Sequence, residues 1–127
     1  MKIHQVVFVL IQGASFNGDL NWSAEALTNV VKNCVEHTPE GGTIQISYGT
    51  NALYTEIIVS DDGEGIASRD LPNIFNRFYR GENAGENSAG IGLALAKAIF
   101  TAQGGDITVH SQPGGTSFAI RVFRGVV

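Results

Sequence analysis

Residues 57–66 read Ile57-Ile58-Val59-Ser60-Asp61-Asp62-Gly63-Glu64-Gly65-Ile66. The run Ile57-Ile58-Val59 belongs to a strand, because β-branched residues fit a pleated, half-buried surface. The Asp-x-Gly-x-Gly pattern then sets a carboxylate at the strand's end, beside two backbone positions that carry no side chain. A carboxylate there can accept a hydrogen bond from an exocyclic amine such as that of adenine, and the glycines let a flat ring approach the backbone. The other readings are a plain turn or a calcium loop. The calcium loop fails, because its remaining ligands and the spacing to a terminal Glu are missing.

Upstream of this stretch, Thr43–Tyr48 alternates as a strand, Gly49-Thr50-Asn51 makes a turn, and Leu53–Ser60 returns, so a hairpin is predicted. Before it lies the strongest helical signal in the chain. Trp22, Ala26, Leu27, Val30, Val31, Cys34 and Val35 recur at three- and four-residue steps, with Asp19 or Asn21 as N-cap candidates. Pro39 and Gly41-Gly42 end that helix. Residues 3–11 form a further, buried strand. Downstream, Asp70–Tyr79 is predicted as a short helix with Ile74, Phe75 and Phe78 on one side. Gly81–Ala89 is small and polar. Ile91–Gln103 is an apolar helix stopped by Gly104-Gly105. Strands 106–111 and 116–123 flank Pro113-Gly114-Gly115. The order implies an α+β two-layer sandwich, its mixed and mostly antiparallel sheet covered on one face by about three helices.

The chain has 127 residues, the size of one domain. Sixteen are glycine, against an average of about 7%. Five lie in residues 1–62 and eleven in residues 63–127, so the need for bare backbone is concentrated late. No three-residue period exists, which excludes collagen. A net charge of −4 without any Lys/Arg run argues against nucleic-acid binding. The longest apolar run, Val6–Ile11, is too short to span a bilayer. The single Cys34 forms no internal disulfide and fits a reducing cytoplasm, most simply as a packing residue. His4, His37 and His110 show no metal-ligand spacing.

The first helix carries a second face. Glu25, Asn29, Asn33 and His37 follow one another at four-residue steps. Asparagine is a mediocre helix former, so two of them one turn apart call for a reason. An amide oxygen can ligate a hard cation without adding charge, which suits Mg²⁺ already carrying phosphates. A solvated face is the competing reading. Gly90-Ile91-Gly92-Leu93 opens the later helix, and unpaired N–H groups at a helix start favour anions. The segment is neither a Walker-type phosphate loop nor a dinucleotide fingerprint.

The order of these pieces is more specific than any one of them. The chain from about Trp22 to Phe123 resembles the ATP-binding catalytic domain of bacterial sensor histidine kinases, in the superfamily shared with gyrase and the Hsp90 chaperones. Asn29 through Pro39 looks like the family's N box. Asp61 through Ile66 resembles the first glycine box, and Ile74 through Arg80 the F box. Ser88 through Ala94 resembles the second glycine box, and Gly114 through Phe118 the closing glycine-threonine strand. The resemblance implies the Bergerat ATP-binding fold and binding of Mg²⁺ and ATP. It implies Asn33 as the main Mg²⁺ ligand, with Asn29 close to metal and phosphates. Asp61 is implied at the adenine amine, with Gly63, Gly65, Ile66, Phe75 and Thr116 around the nucleotide. Arg80 is implied at the phosphates, and Gly90, Ile91, Gly92 and Leu93 along the phosphate chain. Residues 81–89 correspond to the ATP lid.

There are departures. Glu36 stands where the family usually has Lys, and no role is assigned to it. His37 stands where Tyr is common; it either stacks near the nucleotide or is a solvated helix-end residue. Ser88 and Ala89 replace the first glycine of the second glycine box. In the ATP-hydrolysing relatives a Glu lies four residues before the metal-binding Asn; here that place is Asn29, which is no base. Slow intrinsic hydrolysis is therefore expected. None of the three histidines looks like the family's phosphoacceptor, which lies on a separate dimerising hairpin. The expectation is one catalytic domain over residues 1–127, excised from a parent kinase. It would donate the γ-phosphoryl group to that hairpin, and indirectly to a response regulator. It is expected to be cytoplasmic, with no nucleic acid and no direct membrane contact, and anchoring of the parent in the cell membrane is left open. The alternatives are a serine kinase of the anti-sigma-factor type and a degenerate nucleotide-binding interaction module.

Overall fold

The computed structural model describes residues 5–10, 20–77 and 92–123. Strand β1 (Gln5–Leu10) precedes helix α1 (Leu20–His37). Strands β2 (Thr43–Thr50) and β3 (Tyr54–Asp61) form a hairpin, followed by a single 3-10 turn at Leu71–Asn73. Helix α2 (Gly92–Ala102) leads into β4 (Gly105–Gln112) and β5 (Gly115–Phe123). One five-stranded sheet has the order β1-β2-β3-β5-β4. β1 runs parallel to β2 and every other neighbour is antiparallel. A parallel pair needs a long crossover, and α1 lies in that connection.

Alternation sorts the strands into two faces. Ile44 and Ile46, Val59, Ile107, and Phe118, Ile120 and Val122 are buried on the face that meets the helices. Ala26, Val30 and Cys34 of α1 and Leu93, Ala96, Ile99 and Phe100 of α2 complete that core. Ser23, near the start of α1, donates its hydroxyl to Gln103, just past the end of α2, at 3.0 Å. The side chain of Asn29 lies beside Gly92 at the other end of α2. The two helices are therefore antiparallel neighbours, and the start of α2 falls alongside the middle of α1. On the opposite sheet face, Tyr54 meets Phe123 edge-on at 5.6 Å, and Arg121 donates to Glu56 at 2.7 Å.

The two-layer sandwich with a mixed, mostly antiparallel sheet agrees with the sequence expectation, and several local expectations do not. Trp22, expected in the apolar stripe of α1, is 56% exposed. It lies one turn before Ala26, at the end of the helix where the core begins. Asn21 lies inside α1 rather than ahead of it, and Asp19 is outside the described residues. The hairpin turn falls at Asn51–Leu53, later than predicted, because the Asn51 side chain accepts the N–H groups of Leu53 and Tyr54 at 2.7 and 2.9 Å.

The helix predicted over 70–79 is only a 3-10 turn and a string of turns to Arg77. After Leu71 its bonds run at three-residue spacing, Asn73 N–H to Asp70 O and Asn76 N–H to Asn73 O, both 2.9 Å. Pro72 donates nothing, and the Asn76 amide bonds to the Asn73 side chain at 3.0 Å, so local polar contacts compete with an α-helix. The described residues thus contain two α-helices rather than about three. Gly104-Gly105 also does more than stop α2: a Cβ on Gly105 would overlap the Arg121 carbonyl oxygen of β5.

Candidate functional site

Asn29, Asn33 and His37 are half-buried on one face of α1, beside the wholly buried Val30 and Cys34. That burial weakens the solvated-face reading. Their environment is unusual because two polar atoms there are buried without a hydrogen-bond partner: Asn33 Oδ1 and His37 Nδ1. Buried polar atoms are nearly always paired, by protein or by something bound. A Cβ built on Gly92 would stand 3.7 Å from the Asn29 side chain. The first N–H groups of α2, which have no intrahelical partner, therefore open beside the asparagine face.

The end of β3 meets the same helix. Asp61 is 8% exposed. Its Oδ1 accepts the Gly63 N–H at 3.0 Å, while its Oδ2 is buried and unpaired. Burial pushes the Cys34 thiol pKa well up, and the negative charge of the nearby Asp61 carboxylate raises it further. Cys34 is thus a core residue that feels the charge of the site's carboxylate. A Cβ on Gly63 would overlap the His37 carbonyl oxygen, so bare backbone is what lets the loop close against the end of α1. The neighbouring Asp62 does different work. It is exposed, and its Oδ1 accepts the Thr43 N–H at 2.8 Å, tying the start of β2 to the end of β3. Strand alternation separates the two aspartates: one faces inward, the other faces the strand end.

Thr116 is the register partner of Asp61 and is 3% exposed. Gly65 adopts a φ of +85°, a region L side chains rarely enter, and a Cβ there would also lie 2.5 Å from the Gln112 carbonyl oxygen. Ile66 is half-buried against the core, and Leu93 is buried in it. Phe75 lies edge-on to Phe118 at 6.3 Å, with the Lys97 ammonium 5.0 Å from its ring centre. Its ring packs against the core. Arg80, Gly90, Ile91 and the lid segment 81–89 lie outside the described residues.

Two contributors escaped the sequence reading. Thr38 is buried and donates its hydroxyl to the Cys34 carbonyl at 2.6 Å, closing the last turn of α1. Ser111 accepts the Ile66 N–H at 2.8 Å and shares a 2.8 Å hydrogen bond with Thr116. The predicted hairpin around Pro113-Gly114-Gly115 pairs strand 106–111 with strand 116–123, but nothing in the sequence brings the Ile66 N–H to residue 111.

A helix-covered sheet, an asparagine face, a buried strand-end carboxylate and a helix N-terminus beside them define a class. The chain belongs to the family described as histidine kinase-, DNA gyrase B-, and HSP90-like ATPase, whose model matches residues 18–125. It is 35% identical over 111 residues to the heme sensor protein HssS of Staphylococcus saprophyticus, covering 87% of this chain and 24% of that protein. It is 39% identical over 107 residues to the sensor histidine kinase CusS of Escherichia coli, covering 81% of this chain and 22% of that protein. The chain thus spans about a quarter of the length of these relatives. Its fold matches that of the mycobacterial sensor histidine kinase MprB with a TM-score of 0.81, at 24% identity over 94% of this chain and 83% of that one. Full-length ShkA, solved in complex with AMPPNP, gives a TM-score of 0.80 at 23% identity, covering 98% of this chain and 26% of that one.

Proposed function

We propose that this chain is the catalytic domain of a sensor histidine kinase, binding Mg²⁺ and ATP and donating the γ-phosphoryl group to a histidine on a separate dimerisation domain. The observation that carries this reading is the set of buried, unpaired polar atoms: Asn33 Oδ1, His37 Nδ1 and Asp61 Oδ2. Asp61 Oδ2 matches an amine donor, and Asn33 Oδ1 matches a hard cation, so the residues present fit the ligands that the family implies. Among the described residues no three His, Cys, Asp or Glu side chains group to hold a metal ion. A cation here would be held by Asn33, with Asn29 close by, and completed by phosphate oxygens. When bound it supplies charge neutralisation.

This chain's own residues bind and orient. Asp61 anchors the base, Gly63 and Gly65 let the loop that follows it pack closely against the end of α1 and against β4, and Thr116 lies beside Asp61. His37 closes the side at the end of α1. The N–H groups at Gly92 and Leu93 offer donors to the phosphate chain, joined in this reading by Gly90, Ile91 and Arg80. Residues 81–89 act as a lid. Phosphoryl transfer needs positioning and electrostatics more than covalent help from the protein. Asn29 supplies no base for water, so transfer to a partner is favoured over hydrolysis. The parent protein supplies the phosphoacceptor, and a response regulator receives the phosphoryl group afterwards. No described helix is long and apolar enough to cross a membrane, which is compatible with a cytoplasmic domain of an anchored parent.

The test is phosphotransfer from labelled ATP to the parent's dimerisation domain. Acid-labile label on a histidine is expected. Acid-stable label on a serine would replace this reading with the serine kinase, and absence of ATP-analogue binding in titration calorimetry would remove both. Asn33→Asp should retain the nucleotide and change the metal dependence of transfer; unchanged metal dependence would refute the metal role.

A further inference from the structure

Ser111 sits where three segments meet. Its Oγ accepts the Ile66 N–H at 2.8 Å, from the loop that begins at Asp61. The same Oγ lies 2.8 Å from Thr116 Oγ1. A Cβ on Gly65 would approach Ser111 Oγ to 3.2 Å, so the hydroxyl is held against the loop's left-handed turn. Ser111 belongs to β4 and Thr116 to β5, and the two face each other in the hairpin register. Thr116 in turn faces Asp61 across β3 and β5.

A serine hydroxyl has one proton and two acceptor sites. With the Ile66 N–H filling one acceptor site, the Ser111 proton can be given to Thr116 Oγ1. Thr116 then keeps its own proton to donate into the site, beside the unpaired Asp61 Oδ2. Hydrogen bonds that run in one direction polarise one another. The chain from the Ile66 N–H through Ser111 to Thr116 thus presents a donor next to an acceptor. That pair complements a ring nitrogen next to an amine, the edge of adenine. It opposes the guanine edge, where a ring N–H lies next to a carbonyl.

We propose that Ser111 is a positioning residue that locks the Gly65–Ile66 loop to β5 and orients the Thr116 hydroxyl as a donor, setting the preference for adenine. The inference rests on the nucleotide reading above. Its test is titration of wild type, Ser111→Ala and Ser111→Thr with a non-hydrolysable ATP analogue, its guanine counterpart and inorganic triphosphate, together with hydrogen exchange at the Ile66 amide. Ser111→Ala should lose about tenfold in affinity for the adenine analogue. It should narrow the adenine-to-guanine ratio, leave triphosphate affinity unchanged and lose Ile66 amide protection. Ser111→Thr, which keeps the hydroxyl, should restore the ratio and the protection.

Wild-type selectivity in Ser111→Ala would overturn the proposal, as would equal losses for the adenine analogue and triphosphate. If wild type binds no nucleotide, the functional reading fails separately, and unchanged Ile66 protection in Ser111→Ala would then overturn the locking role on its own. If Ser111→Ala does not fold, failure of Ser111→Thr to keep the wild-type ratio would overturn the proposal.

Discussion

Replacing Asp61 with Asn changes one atom's chemistry at nearly constant shape, and the two carboxylate oxygens make the outcome calculable. Oδ1 accepts the Gly63 N–H at 3.0 Å, and Oδ2 is buried with no partner. In Asp61→Asn the amide oxygen keeps the Gly63 bond, so the NH₂ group takes the Oδ2 position. A donor then faces the amine donor of adenine. Losing a hydrogen bond to a charged acceptor costs about 1.5–3 kcal/mol, and stranding buried donors adds about 1–3 kcal/mol. The sum, on the order of 2.5–6 kcal/mol, weakens the ATP analogue by roughly 10²- to 10⁴-fold. Folding stability should hold or rise, because an unpaired buried carboxylate is penalised for lost hydration and a neutral amide much less so. Calorimetric titration with the analogue and Mg²⁺, with inorganic triphosphate as control, reads the first effect; thermal melting reads the second. An ATP affinity within about threefold of wild type, in a folded variant, would refute the assignment of Asp61 to the base. A variant that melts far below wild type would show the carboxylate to be structural instead.

Other consequences are open to measurement. Gly65→Ala must place a side chain at φ +85° and 2.5 Å from the Gln112 carbonyl oxygen. It should lose at least about 1–2 kcal/mol in urea unfolding and weaken nucleotide binding, and wild-type stability would refute the close approach. Phe118→Ala empties a site of 0% exposure that is shared with Phe75. Chemical unfolding should show a loss of about 3–5 kcal/mol, and a loss below about 1 kcal/mol would mean that the core is packed otherwise. The folded chain holds the Cys34 proton above the ordinary thiol value of 9.0, through burial first and Asp61 second. Folded protein therefore binds more protons than unfolded protein above that pH, and stability falls as pH rises through it. Cys34→Ala should flatten the fall between about pH 8 and about pH 10 in unfolding midpoints; identical pH profiles would refute it.

Much of the fold was legible because its signals are local and periodic. The stripe of Ala26, Val30 and Cys34 marks α1 at its true place, and alternation in residues 43–48 and 116–123 marks β2 and β5. Failures came where a short polar contact outweighed periodicity. Pro72 and the Asn73–Asn76 pair turn a predicted helix into 3-10 bonding. Asn51 moves the hairpin turn by accepting two backbone N–H groups. Trp22 keeps the right spacing, yet it lies one turn before Ala26, the first core residue of α1, and stays exposed.

The site divides in the same way. Residue type and spacing were enough to single out Asn29, Asn33, His37, Asp61 and the glycines as chemically unusual, because asparagine inside a helix and Asp-x-Gly-x-Gly after a strand are local anomalies. Neither pattern says which oxygen of Asp61 is already occupied, that the buried Cys34 lies within reach of that carboxylate's charge, or that Phe75 packs edge-on to Phe118. Those facts arise from contacts between elements tens of residues apart. Ser111 is the sharpest case. A serine in an exposed-looking hairpin carries no signal of its own. It gains meaning only when the pairing of β4 with β5 brings it to Thr116, and the turn at Gly65 brings the Ile66 N–H within 2.8 Å. Local propensity depends on neighbours along the chain, whereas the partner of a buried polar atom depends on which distant segments are packed around it.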